Sequence, residues 1–251
     1  MSLNNKRVLV TGGSRGLGLG IVEALLDQGA KLWIVARPSP ALDALQAVAD
    51  VEIAPADITD PEAAKTILAD VRPDILILNA GAKPRMARLD QTSWEDFSAT
   101  WETDVRGGLY WLQAALNLPL VPGSRVLVSS SGAALLGSAM SGGYGGAKWM
   151  LWLMTQYAQG VSDQRKLGID FQTIVPQQMV SGTGVGGAGA SSYASANAMT
   201  AEAYMERYPR MKPRDFGEHV VRILTDPAYD PAHALGIRGD TGVTILKEKA
   251  A

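Results

Sequence analysis

The 251 residues read as one doubly wound α/β domain on a parallel sheet of about seven strands. Three features carry that expectation. Short apolar runs alternate with stretches whose apolar residues recur at helical spacing. The runs are apolar on both faces, as strands are when helices cover both sides of a parallel sheet. No shift in composition marks a second domain, and no repeat is visible beyond the β-α alternation.

In chain order, Lys6 to Thr11 is the first strand and runs straight into Gly12-Gly13-Ser14-Arg15-Gly16-Leu17-Gly18. Ile21, Val22, Leu25 and Leu26 then repeat at helical spacing up to Gly29, a natural helix stop. Lys31 to Ala36 is the second strand. Leu42, Leu45 and Val48 mark a short helix, Val51 to Ala54 a strand, and Ala63 to Val71 a helix. Ile75 to Leu78 is a buried strand leading into Asn79-Ala80-Gly81. Trp94 to Leu116 reads as one long helical segment. Arg125 to Val128 is a strand ending in Ser129-Ser130-Ser131, Tyr144 to Gln159 is helical, and Ile169 to Val175 is a strand stopped by Pro176. Thr241 to Leu246 fits a last strand. Ser181 to Ala198, nearly all Gly, Ala and Ser, is too poor in bulky residues to form core. It reads as a flexible lid over about 181–205, the alternative being a disordered linker.

Composition narrows the chemistry. A net charge of −2 gives no reason to expect nucleic acid or an anionic membrane as partner. With no cysteine there can be no disulfide, thiolate metal site or cysteine nucleophile. His219 and His233 lack partners at metal spacing and read as structural, so no metal is expected. No apolar run approaches a membrane span, and the first residues lack the apolar core of a signal peptide. A cytoplasmic protein is expected, with Met1-Ser2-Leu3 read as a possible expression scar. Lys83, Arg85 and Arg88 read as a solvated loop, although they could steer an acidic substrate.

A glycine-rich turn between a strand and a helix is the setting in which backbone N–H groups and a helix N-terminus hold a phosphate. The spacing here is T-G-x-x-x-G-x-G, and the expectation is a dinucleotide. An NAD site wants a carboxylate about 20 residues further on. This chain has Ala36-Arg37 there. Arg37 and Arg15 can pair with a 2′-phosphate, which favours NADP(H); the alternative is that both point into water. Tyr144 and Lys148 are an i,i+4 pair if they open a helix. A free phenol, with a pKa of about 10, exchanges protons poorly near neutrality, and an ammonium held beside it favours the phenolate.

Taken together, Thr11 to Gly18, Asp57 after Ala56, Asn79-Ala80-Gly81, Ser131, and Tyr144 with Lys148 resemble the classical short-chain dehydrogenase/reductase family, from about Lys6 to Leu246. The resemblance implies a single Rossmann-type domain over 1–251. It implies hydride transfer between NADP(H) and a small-molecule carbonyl or alcohol, in the manner of a ketoreductase. Ser131, Tyr144 and Lys148 are then catalytic, with Asp104 in support. Ser131 lies thirteen residues before Tyr144, which singles it out from Ser129 and Ser130. The implied cofactor site comprises Gly12, Ser14, Arg15, Gly16, Leu17, Gly18, Arg37, Asp57, Ile58, Asn79, Ala80, Gly81, Tyr144, Lys148, Pro176 and Met179. The blander readings are that Ser131 caps a helix and Asn79 makes a turn.

Three positions depart from the family pattern. Asp104 stands where an asparagine is usual, Pro176-Gln177 replaces Pro-Gly, and the tail lacks the Asp-Gly-Gly close. They keep alive a second reading, a catalytically silent NADP-binding sensor or scaffold. Trp149 to Met154 is apolar around the helix, and Leu109 to Leu112 is similar, so a homodimer or homotetramer is expected through these helices. Substrate, stereochemistry and direction are not written in the motifs.

Overall fold

The computed structural model describes residues 2–118 and 120–247; the expected domain's positions 1, 119 and 248–251, Met1 of the supposed scar among them, lie outside the described residues. Among the described residues eight strands make one sheet: β1 (Arg7–Thr11), β2 (Lys31–Ala36), β3 (Val51–Pro55), β4 (Ile75–Leu78), β5 (Arg125–Ser129), β6 (Asp170–Pro176), β7 (Ala234–Arg238) and β8 (Gly242–Ile245). Their order is β3-β2-β1-β4-β5-β6-β7-β8. All neighbours are parallel except β8, which returns antiparallel to β7. The chain therefore winds outward from β1 in one direction and from β4 in the other. A crevice opens at the carboxyl ends of those two strands, where open α/β sheets bind ligands.

Among the described residues ten α-helices connect the strands: α1 (Gly16–Leu26), α2 (Pro40–Val48), α3 (Pro61–Val71), α4 (Trp94–Thr100), α5 (Arg106–Asn117), α6 (Gly132–Leu136), α7 (Tyr144–Arg165), α8 (Gly184–Ala196), α9 (Ala201–Met205) and α10 (Pro213–Thr225). Strand residues alternate between two core layers. Val8, Val10, Leu32, Ile34, Ile75 and Ile77 pack with α1, α2 and α10. Leu9, Val35, Leu76, Leu78, Val126 and Val128 pack with α3, α5 and α7 on the other face. Each fully buried side chain of this kind stabilises by roughly 1.5–3 kcal/mol. Leu3, the last residue of the possible scar, belongs to the first layer at 2% exposure.

Helices α1 and α10 meet backbone to backbone. A Cβ on Gly20 would strike the carbonyl of Pro213, and one on Gly217 would strike that of Gly20. Neither position was readable as a packing glycine, because the contact joins segments nearly 200 residues apart.

Three expectations change. The seventh parallel strand is β7, not the tail. It is a five-residue strand with a glycine at its centre, Gly236, where a Cβ would fall 2.6 Å from the Gln177 Cδ. The tail is an eighth, antiparallel strand. The long helix over Trp94–Leu116 is three pieces, α4, a π-turn at Trp101–Val105, and α5. The Gly/Ala/Ser stretch is neither loop nor linker. Thr183 caps α8 by accepting from the Gly186 N–H at 3.0 Å, and Ala190 and Ala194 bury against Tyr204 of α9. Alanine favours helix, and small side chains let α8 sit close to its neighbours.

Candidate active site

Thr11, the first residue of the glycine motif, joins the two halves of the crevice. Its hydroxyl accepts from the N–H groups of Asn79 and Ala80 at 3.0 and 3.1 Å. The Asn-Ala-Gly turn is thereby tied to the glycine loop. The loop's glycines serve different needs. Gly12, at φ +70°, lets the chain pass Ala80, whose Cα would be 2.8 Å from an added Cβ. A Cβ on Gly18 would strike the Gly12 carbonyl and lie 2.6 Å from the Asn79 Nδ2. Gly16, at φ +55°, has no atom closer than Thr183, 3.8 Å from an added Cβ, so its open side faces α8.

The start of α1 suits a phosphate. Its N-cap, Arg15, makes no side-chain cap, whereas Ser39, Asp60, Ser93, Ser131, Thr183 and Thr200 each cap the helix they precede. First-turn N–H groups of α1 and its dipole are thus left for a ligand. Ser14 and Leu17 are half-buried in the same loop, with Arg15 exposed beside them. Arg37 is exposed at the end of β2, and among the described residues no carboxylate is within ion-pair distance of either arginine. Asp57 accepts from the Thr59 N–H at 2.9 Å and its hydroxyl at 2.8 Å. These bonds, backbone first, hold its pKa below the usual value; slight burial opposes them and the charge of Arg37 assists. Ile58 lies beside Gly107, with its Cδ1 2.9 Å from where a Cβ would be.

The serine triplet at the end of β5 divides its work. Ser129 donates to the Asn79 Oδ1 at 3.3 Å, and Ser130 donates to the Lys148 carbonyl at 2.8 Å. Ser131 caps α6 by accepting from the Ala133 N–H at 3.2 Å. That bond uses an acceptor lone pair and leaves the Ser131 O–H a donor. Helix α6 rests on the first turn of α7, where the Ala133 carbonyl is 3.0 Å from where a Cβ on Gly145 would stand.

Tyr144 and Lys148 open α7 one turn apart, as the i,i+4 spacing implied, and both are buried. The Lys148 Nζ lies 5.8 Å from the Tyr144 ring centroid. It donates to the Ser129 carbonyl at 3.4 Å and forms an ion pair with the Asp104 Oδ2 at 3.0 Å. The other Asp104 oxygen accepts from the Ala82 N–H at 2.7 Å. Burial works against the Lys148 ammonium, but Asp104 and Tyr144 outweigh it and hold its pKa above 10.5. Asp104 sits in the π-turn between α4 and α5, a feature frequent at functional sites.

Pro176 ends β6 buried, and the Gln177 N–H bonds the Ile237 carbonyl at 3.0 Å, so this turn is anchored to β7. Gln178 fastens it further, donating to the Pro209 carbonyl and accepting from the Gly239 N–H. Met179 packs on Gly189 of α8. Helix α8 reaches the segment between Ser131 and Tyr144. The Tyr193 hydroxyl is 2.8 Å from the Ser138 Oγ and accepts from the Met140 N–H at 3.3 Å. Arg85 and Arg88 are engaged by Asp96 and Asp90. His219 packs beside Gly242, distant in fold from the catalytic cluster, and burial lowers its pKa.

The family model for short chain dehydrogenases matches residues 6–198. Hydroxynaphthalene reductase of Aspergillus fumigatus is 31% identical over 159 residues, covering 59% of this chain and 58% of that protein. Human L-xylulose reductase is 33% identical, covering 51% and 54%. Gluconate 5-dehydrogenase of Gluconobacter oxydans is 34% identical, covering 49% and 52%. The matched stretches thus span little more than half the length of these relatives. A crystal structure of a short chain dehydrogenase from Burkholderia cenocepacia J2315 in complex with NADP superposes with a TM-score of 0.75 at 27% identity, covering 95% of this chain and 98% of that one. Levodione reductase shares the fold at a TM-score of 0.81 and 22% identity, covering 94% and 97%. No helix among the described residues is long and apolar enough to cross a membrane. On the family match, and on the crevice that brings Tyr144, Lys148 and Asp104 together, this chain belongs to the short chain dehydrogenase family.

Proposed function

We propose that the chain is an NADP(H)-dependent oxidoreductase interconverting a carbonyl and an alcohol. One observation carries the reading: the buried Asp104–Lys148 ion pair next to Tyr144. Burying two charges costs several kcal/mol before their attraction is counted, and a binding scaffold has no use for them there. The ion pair therefore favours the catalytic reading over the silent sensor that the departures at Asp104, Gln177 and the tail had left open.

In this reading the reduction of a ketone proceeds in one turnover at the mouth of β4 and β5. A nicotinamide cofactor whose phosphates were held by the glycine loop and the first turn of α1 would supply the hydride. Tyr144 delivers its phenolic proton to the carbonyl oxygen as the carbon is reduced. Ser131 donates its O–H to that oxygen. Lys148, kept charged by Asp104, stabilises the phenolate that remains until a proton returns. In the reverse direction Tyr144 removes the alcohol proton. Helix α8 and α9 act as the lid over this reaction, held by Tyr193 at the Ser138–Met140 segment.

The preference for NADP(H) over NAD(H) rests on Arg15 and Arg37 beside an uncapped helix and on the absence of a carboxylate at the end of β2. NADPH should bind at least about ten times tighter than NADH, or about 1.4 kcal/mol, well within the reach of charge-assisted arginine contacts. Fluorescence titration of both cofactors checks this, and Arg37→Asp should reverse the order. An NADPH-consumption screen over ketones, diketones and sugars tests the activity. Tight NADPH binding with no consumption anywhere in the screen would overturn the catalytic reading.

A further inference from the structure

The π-turn at Trp101–Val105 points a second residue at α7 besides Asp104. The Trp101 indole Nε1 donates to the Gly143 carbonyl at 3.0 Å. Gly143 is the N-cap of α7, the residue directly before Tyr144. The indole lies close against two glycines of this turn. A Cβ on Gly143 would strike the Phe97 carbonyl and lie 3.0 Å from the Trp101 Nε1, and one on Gly146 would be 3.1 Å from its Cζ2. Gly143 and Gly146 thus bracket Tyr144 and both rest on the same indole ring.

A wide turn places successive residues on faces that a regular α-helix would separate differently. Here Trp101 reaches the front of Tyr144, and Asp104, three residues later, reaches Lys148 one helical turn behind it. The cap of α7 has no side-chain hydrogen bond of its own, so the indole N–H is its one side-chain restraint among the described residues. We infer that Trp101 is a positioning residue for Tyr144, holding the first turn of α7 by the Gly143 carbonyl so that the phenol stays aligned with the Ser131 side of the crevice. The inference rests on the catalytic reading of Tyr144. It adds a residue of this chain that does not touch the reacting atoms and works through the backbone.

Trp101→Phe keeps an aromatic ring at this position and removes the N–H together with the outer part of the bicycle. Two readouts test it. In steady-state reduction, kcat should fall about ten-fold while KM for NADPH stays within about two-fold; a misplacement of 1 Å can cost roughly 10²-fold, so a partial loosening belongs below that. Independently of turnover, ultraviolet pH titration of each protein minus its own Tyr144→Phe version isolates the ionisation of Tyr144. In Trp101→Phe that titration should move away from the parent's. Unchanged kcat with superimposable titrations overturns the inference. If the parent itself turns over no carbonyl, the catalytic reading fails, and the titration alone decides whether Trp101 positions Tyr144. Should Trp101→Phe not fold, Gly146→Ala, which keeps the indole but crowds it, reads the same geometry: a parental kcat and titration there contradict it.

Discussion

Asp104 is sealed from solvent at 2% exposure, yet its carboxylate is shared between a backbone N–H and the Lys148 ammonium. Its charge must therefore shape the site. Asp104→Asn keeps the shape and removes the charge, and an active variant with a pH–rate profile displaced by a measurable fraction of a unit is expected. Superimposable profiles would mean that the ion pair is electrically idle in catalysis; a dead variant would mean that the carboxylate itself takes part in the reaction. The same pair has a signature in stability. Because the folded pKa of Lys148 is raised above 10.5, its contribution is complete below that pH and fades as the pH rises through the folded value. Lys148→Met leaves a buried carboxylate unpaired, so urea unfolding at pH 8 should show a loss of about 3–5 kcal/mol, narrowing above about pH 10.5. A gap that does not change with pH would contradict this. At this scale the site was legible where local geometry decides it. Tyr144 and Lys148 are neighbours by helix periodicity alone. Asp104 could be placed only through the family resemblance; the contact of Thr11 with the Asn-Ala-Gly turn and that of Trp101 with Gly143 could not be read, since they cross 68 and 42 positions of chain.

Among the elements, those with strong periodicity were readable and those shaped by tertiary contact were not. Strands β1, β2 and β4 are continuous apolar runs and declare themselves. The break between α4 and α5 does not, because a π-turn has no sequence signature and is maintained by what Trp101 and Asp104 touch. Helix α8 reads from sequence as a flexible lid, with a disordered linker as the alternative, because its residues are small; its order comes from the Thr183 cap and from α9. Glycines are the sharpest test of such element-level packing. Gly217→Ala must force α10 away from the Gly20 carbonyl, and thermal unfolding should register a loss of about 1–3 kcal/mol or more. Gly160→Ala in the interior of α7 meets nothing within 4 Å and should instead stabilise by about 0.5–1 kcal/mol. Equal effects of the two would mean that the α1–α10 crossing is looser than described.

At the scale of the whole molecule, α7 turns Tyr144, Lys148 and Trp152 inward while Trp149 and Tyr157 remain on its outer side at 37% and 62% exposure, with Leu109 of neighbouring α5 at 41%. We propose that this face pairs with its copy about a two-fold axis. Light scattering should find a dimer or tetramer that Trp149→Glu with Leu109→Glu converts to monomer; a monomeric parent would contradict it. The sheet's winding, its crevice and the site at the crevice all converge on one side chain. The most direct test of the account is Tyr144→Phe, measured for both NADPH binding and turnover. NADPH affinity should remain within about two-fold of the parent's, while kcat falls by roughly 10²–10⁴, the worth of a positioned general acid. A variant that binds NADPH normally and turns over within a few-fold of the parent would show that another group supplies the proton, and the central claim would fall.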